Sequence, residues 1–247
     1  MANKSDMRDS LVLGKWTGRA IDRLLTRATE MEEIGERIVF LSQHFLGAPY
    51  KESTLIGDVS TQEALVINLT AFDCFTFLDS VEAMRLSSSF AEMKDRLRAL
   101  RYKKGLVNYL TRNHFFTDWR EYNRDLVSDV TVRVGHAGTQ RVTKTLNVKD
   151  DGSLYLAGIE PFDRELTYVP STAVDDSVLV RLKSGDYVGF FSASAGLDVS
   201  HVGIIVRKGA QILLRHASSA PSARKVVDQD FSGYISDKPG IIVLRPH

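Results

Sequence analysis

Cysteine occurs once in the 247 residues, as Cys74. An internal disulfide is therefore excluded, stability has to come from packing, and the thiol is free for chemistry. Apolar runs long enough to cross a bilayer are missing too; the most apolar segments, such as Val202-Gly-Ile-Ile-Val206, have strand length, so no membrane span is expected. Charge of one sign is equally scarce. With 32 Lys and Arg against 31 Asp and Glu, the net charge is +1, and no basic run offers the footprint that a nucleic-acid backbone needs. Also absent are Gly-x-Gly-x-x-Gly after a strand, a Gly-Lys-Ser/Thr phosphate loop, His-Glu-x-x-His and Cys-x-x-Cys. Their absence removes the usual basis for a nucleotide cofactor or a closely spaced zinc site, so neither cofactor nor metal is expected. The first ten residues lack the apolar core of a secretory signal, which leaves the compartment open.

What is present fits an ordinary globular chain, since a hydrophobic share of 43% supplies ample core. Ile21, Leu24, Leu25, Ala28 and Met31 recur at helical spacing, and Ile34, Ile38, Leu41 and Phe45 continue the stripe after a break near Gly35. Gly47-Ala-Pro-Tyr50 ends this region in a loop. A short strand from Ala64 to Leu69 precedes Cys74, Phe77, Leu78, Val81 and Met84, which share one helical face, with Asp73 as the N-cap. A further helix is expected from Phe90 to Leu100, capped within Ser87 to Ser89. From about Val130 the pattern turns to β-branched runs: Val130 to Val134, Val142 to Val148, Ser177 to Leu182, Tyr187 to Phe191, His201 to Val206, Ile212 to His216 and Ile241 to Leu244. A helical front and a mostly antiparallel back make the expected fold α+β, one domain over residues 1–247 with a motif-poor helical extension over 1–34.

Cys74 alone reads as a small apolar residue on a core helix. Its seat in a first helical turn gives it a second reading, because unpaired amides and the positive dipole end lower a thiol pKa and can hold an oxyanion. The histidines add to that reading. If Lys208-Gly209 forms a two-residue hairpin loop, Arg207 faces Ala210, and the ladder then sets His201 directly opposite His216. Opposed residues have Cβ atoms about 4.5–5.5 Å apart, close enough for one imidazole to orient the other. A thiol, a base and a group that orients the base are the parts of a cysteine hydrolase. His44, His136 and His247 lack any such relation, whereas His114 sits in an aromatic run that is either core or cleft wall.

These residues resemble the signature of the NlpC-type cell-wall peptidases, which have a papain-like fold: Asp73-Cys74, Gly185-Asp-Tyr-Val188, His201-Val-Gly-Ile204 and His216-Ala-Ser-Ser219, in that order. Phe45-Leu-Gly-Ala-Pro-Tyr50 with Thr54-Leu55, Asp73 to Phe77, and His114-Phe-Phe-Thr-Asp-Trp119 make the chain more similar to the N-acetylmuramoyl-L-alanine amidase-like branch. The resemblance covers the chain from about residue 35 onward, and Asp79 departs from it where the branch tends to have glutamate. It implies that Cys74 attacks, His201 serves as base and then acid, and His216 orients the ring. It also implies a substrate or oxyanion role for Tyr50, Asp73, His114 and Trp119, and peptidoglycan or a muropeptide as partner.

Other readings remain open at this point. Cys74, His201 and His216 could ligate zinc, the acyl group could pass to an acceptor other than water, or the fold could hold cell-wall fragments without catalysis. Within the hydrolase reading the bond is either the muramoyl-L-alanine amide or the γ-D-glutamyl-diamino-acid link. The expected state is a monomer, placed in the cell envelope if exported and in the cytoplasm if it recycles fragments.

Overall fold

Among the residues that the computed structural model describes, 9–247, the front half is a helical layer threaded by two short strands. Strand β1 (Ser10–Val12) leads to α1 (Gly18–Thr29), whose buried face is Ile21, Leu24, Leu25 and Ala28, as the spacing predicts. The stripe does break before α2 (Ile34–Gln43). Strand β2 (Val66–Asn68) pairs in parallel with β1, so the N-terminal extension contributes a strand as well as a helix. Helix α3 (Cys74–Arg85) follows, then α4 (Phe90–Arg101), with Ser89 accepting from the Glu92 N–H as its cap.

Helix α3 is the centre of this layer, buried at every position from Thr76 to Arg85. Its charged residues survive there because each is paired, since an isolated buried charge would be costly. Asp79 accepts from Arg101 Nε at 2.9 Å and from Trp119 Nε1 at 2.8 Å, while Glu82 accepts from Arg85 Nε at 2.9 Å and from the Tyr187 hydroxyl at 2.6 Å. Among the described residues no helix is long and apolar enough to cross a membrane.

The back half runs α5 (Phe116–Tyr122), β3 (Val127–Asp129), α6 (Thr131–Gly135), β4 (Gln140–Leu146), β5 (Phe162–Pro170), α7 (Asp176–Leu179), β6 (Tyr187–Phe191), β7 (Val199–Lys208), β8 (Gln211–Ala217), β9 (Val226–Asp230), α8 (Phe231–Ile235) and β10 (Gly240–Pro246). Its strands form one sheet in the order β4-β5-β10-β6-β7-β8-β9, with β3 also on β10, and every pairing is antiparallel. Alternate side chains point to opposite faces. Tyr187, Val202, Ile204, Ile242 and Leu244 join the core under the helices, whereas Val188, Phe190, Ile205, Ile241 and Val243 join a second core with Phe231 and Ile235 of α8. The architecture is thus mixed α+β on an antiparallel sheet, as expected.

Two of the expected strands are helices. Val130 to Val134 is largely α6, started by the Asp129 carboxylate accepting from the Thr131 N–H at 3.0 Å, and Ser177 to Leu182 begins in α7, capped by Asp175 through the Val178 N–H at 3.0 Å. In both, a local aspartate that accepts a backbone N–H at the helix start, as a turn before α6 and as the N-cap of α7, overrides the β preference of the valines, which is a preference for a packed surface more than for a backbone shape. Strands β5 and β9 went unread because their sequences, rich in charge, lack an apolar alternation.

Candidate active site

Cys74 is the first residue of α3, held there by a capping box. Asp73 Oδ1 accepts from the Phe75 and Thr76 N–H groups at 3.0 and 2.7 Å, and the Thr76 hydroxyl takes the Asp73 N–H at 3.1 Å. The cap fixes the direction of the first turn, and so the sulfur, through residues that are all neighbours in sequence. The sulfur lies near the backbone N–H groups of Val202, of Phe75 and of Cys74 itself, which favour its charged form. Val202 follows His201 on β7, and Cys74 and His201 line one cleft of about 350 Å³ together with Phe75, Phe116, Tyr155 and Leu156.

The histidines reach that cleft by a register that differs from the expected one. Lys208 pairs with Gln211, so the hairpin loop is Gly209-Ala210 rather than Lys208-Gly209. Gly209 has φ +62°, which glycine adopts freely and the first position of such a turn requires. Arg207 accordingly faces Ile212 in place of Ala210. Carried down the ladder, this sets His216 opposite Gly203, and His201 becomes its diagonal neighbour on the same face of the sheet. Gly203 makes the diagonal contact workable, because a Cβ there would stand 3.1 Å from the His216 Cβ and 2.6 Å from the Leu214 side chain. The His216 ring leans over the glycine, and His201 Nε2 lies 2.7 Å from His216 Nδ1, the ring planes at 88°.

Protons in this chain can be assigned from its far end. His216 Nε2 is 3.3 Å from Gln229 Oε1, a carbonyl oxygen that only accepts, so Nε2 carries the hydrogen. A neutral His216 then accepts at Nδ1, and His201 donates from Nε2. His201 Nδ1 is left as a bare lone pair. Burial holds both rings neutral: it pushes His201 down to about 3, with His216 and Lys238 adding to the effect, and His216 down to about 4, against the opposing pull of Gln229 and Asp228.

The thiol is neutral as well. Burial, followed by the Asp73 carboxylate, pushes Cys74 up to about 12, and the nearby N–H groups of Val202 on β7 and of Cys74 and Phe75 at the helix start reduce this only in part. Here the structure corrects the expectation that the helix N-terminus lowers the thiol pKa. Desolvation is the larger effect, so at neutral pH the site rests as thiol and imidazole rather than as an ion pair.

The remaining candidates divide. Tyr50 lies beside the thiol: its hydroxyl is pushed up first by burial and then by Cys74, and its ring packs under the Arg224 guanidinium at 4.9 Å. The Asp73 Oδ1 is committed to the helix cap. His114 stands at the cleft wall, with Nε2 2.8 Å from the Tyr109 carbonyl oxygen. Trp119 is 0% exposed and gives its indole N–H to Asp79, which removes it from any surface that a substrate could touch. Two residues of the site escaped the sequence reading. Gln229 ends the histidine chain, and Tyr234, on α8, sets its ring 5.0 Å from His216 and 5.9 Å from His201, with its hydroxyl pushed up to about 12 by burial and then by Cys74. Their elements carry no motif, and only the β8–β9 register brings them in. Among the described residues no three His, Cys, Asp or Glu side chains come together as a metal-ligand set.

Fold and site together define a mixed α+β protein on an antiparallel sheet, with Cys74 and His201 lining one cleft and the buried His216 ring bonded to His201 behind it. Among solved structures, the chain is similar to an N-acetylmuramoyl-L-alanine amidase from Bacteroides uniformis, at 27% identity over 87% of this chain and 99% of that one, with a TM-score of 0.72. The Legionella pneumophila protein LPG0564, of the family model DUF1460, shares the fold at 20% identity, covering 93% of this chain and 94% of its own, with a TM-score of 0.78. No curated protein matches the chain. The model of the AmiA-like, N-acetylmuramoyl-L-alanine amidase-like family matches residues 40–241, and the chain belongs to that family.

Proposed function

We propose that the protein is a cysteine-dependent amidase that cuts the bond between N-acetylmuramic acid and L-alanine in peptidoglycan or muropeptides, and that its fold is the papain-like one of NlpC-type enzymes. The substrate follows from the family and from the Bacteroides uniformis amidase. The observation that carries the mechanism is the hydrogen-bonded chain from Gln229 through His216 to His201, which leaves a bare Nδ1 in the same cleft as the only thiol.

With thiol and imidazole both neutral at rest, attack and proton transfer are coupled. As the sulfur bonds to the amide carbonyl carbon, its proton passes to His201 Nδ1, and the new imidazolium is stabilised by its Nε2–H donating to His216. The oxygen takes the negative charge near the Cys74 amide, the neighbouring Phe75 and Thr76 amides being held by Asp73, with the Tyr50 and Tyr234 hydroxyls as further donors near the sulfur. His201 returns the proton to the departing alanine nitrogen, and the C–N bond breaks to leave a thioester. Water, deprotonated by the same Nδ1, then releases the lactyl carboxylate and restores the thiol.

The test is mass spectrometry of muropeptides incubated with the protein and with its Cys74→Ala variant. The expected products are the sugar with a free lactyl carboxylate and a peptide beginning with alanine, with none from the variant. Cleavage between D-glutamate and the diamino acid would overturn the bond assignment. Transfer of the acyl group to a second amine would replace hydrolysis by acyl transfer, and full turnover by the variant would overturn the thiol mechanism.

A further inference from the structure

The alternation of side chains along β7 breaks once, immediately before His201. Val199 and Val202 both pack on the core under the helices although they stand three residues apart, which an unbroken strand forbids. A bulge is the cause: Phe190 pairs with His201 but Phe191 pairs with Val199, so Ser200 has no partner across the ladder. A bulge bends and twists its strand and re-aims the side chain beside it, which here is the His201 imidazole.

Two clamps hold the backbone that enters this bulge. Asp198, 2% exposed, takes the Val199 N–H on Oδ1 at 2.7 Å, and the Thr117 N–H and hydroxyl on Oδ2 at 2.7 and 2.8 Å. It thereby satisfies the start of α5, where the preceding residue, Phe115, supplies no side-chain cap. The second clamp comes from the far edge of the sheet. Lys144 on β4 reaches the loop between β6 and β7 and donates to the carbonyl oxygens of Ser192 at 2.7 Å, of Leu197 at 2.8 Å and of Ser194. An ammonium has three hydrogens, and all three go to this one loop. The loop is closed further by the Ser192 N–H, which donates to the Asp198 carbonyl at 3.0 Å.

A cation held by three carbonyls pairs no charge; it fixes where those carbonyls point. Burial pulls the Lys144 ammonium below its ordinary value, with Asp198 and Asp150 opposing, so the three hydrogen bonds have a desolvation to offset. We infer that Lys144 is a positioning residue for His201: by gathering three carbonyls it fixes the chain that enters the bulge, and so the angle at which the imidazole meets the cleft. The kinetic consequence, unlike the geometric one, rests on the amidase reading.

Two measurements test this. The first needs no turnover: nitrogen-15 NMR of the imidazoles, with the His201 signals identified by their loss in His201→Ala. The native ring should show one tautomer, with hydrogen on Nε2 and a bare Nδ1. Lys144→Met should average the two tautomers, and Lys144→Arg, whose guanidinium also has donors for several carbonyls, should restore the native signals. The second is kcat and KM for N-acetylmuramoyl-L-alanyl-D-isoglutamine. Lys144→Met should lower kcat about tenfold with KM unchanged within about twofold, and the milder Thr117→Val, which keeps the side-chain shape and removes one hydrogen bond of the other clamp, about threefold. Native His201 signals with native kcat in Lys144→Met and Thr117→Val overturn the inference, as does a loss of activity that only follows the unfolded fraction. Averaged His201 signals in Lys144→Met, from a protein that cuts no muropeptide, support the positioning role and overturn the amidase reading instead.

Discussion

The start of α3 and the β7–β8 hairpin each supply half of one site, and they are held by different means. Cys74 is set by a capping box whose partners are all within three residues. His201 is set by strand register, by a glycine two residues on, and by a histidine and a glutamine from two other strands. The first arrangement is local and self-sufficient. The second exists only when three strands are aligned, so an error of one step anywhere would misplace the His201 ring. The geometry of the cleft is therefore more sensitive to changes in the sheet than to changes in the helix.

The sharpest way to break this comparison is to remove the base proposed above. His201→Ala should lower kcat/KM by about 10³-fold or more, since binding and oxyanion contacts alone remain, and its far-ultraviolet circular dichroism should match that of the native protein. His216→Ala should cost less, about 10²-fold, because the ring is left in place but loses the acceptor that fixes its tautomer. Gln229→Leu should move activity in the same direction by a smaller factor, and equal effects for all three would contradict a graded chain.

Gly203→Val tests the sheet side directly. The new side chain meets His216 and Leu214, so it should destabilise the fold by about 1–3 kcal/mol in urea titration and lower activity by displacing the ring. Asp73→Ala tests the helix side. Losing this cap should cost about 1 kcal/mol of stability, within the usual 0.5–2.

Protonation gives a subtler contrast. His114, His201 and His216 have folded-state values of about 4, 3 and 4, all below the ordinary 6.5. The unfolded chain takes up these protons first as pH falls, so their stabilising effect is complete above pH 6.5 and is lost progressively from there down to about 3. Urea midpoints measured at pH 7.5 and pH 5 should fall toward acid, and His201→Ala and His216→Ala should flatten the slope. Iodoacetamide should alkylate Cys74 about tenfold faster for each unit of rising pH through the neutral range, as a thiol of about 12 requires; a plateau already at pH 6 would restore the ion pair.

What was legible in the sequence tracks the same division. Asp73 beside Cys74, the apolar stripe of α1 and Ser89 before α4 are short-range signals, and all stand where their spacing put them. The histidine pair was found by a ladder argument whose loop was placed one residue too early, yet shifting both strands by one keeps the parity of faces, so the rings still meet. Gln229, Tyr234 and the two short helices α6 and α7 were not legible. Their positions depend on which strand lies beside which, or on aspartates beside valine-rich runs, and neither leaves a period to read.

The single cysteine has a consequence for the lifetime of the molecule. Oxidants attack thiolate, and a half-buried cysteine that keeps its proton offers them little of it. The desolvation that keeps the proton on Cys74 thereby guards the sulfur. That protection has to hold, because the chain contains no second thiol that could rescue a sulfenic acid as a disulfide.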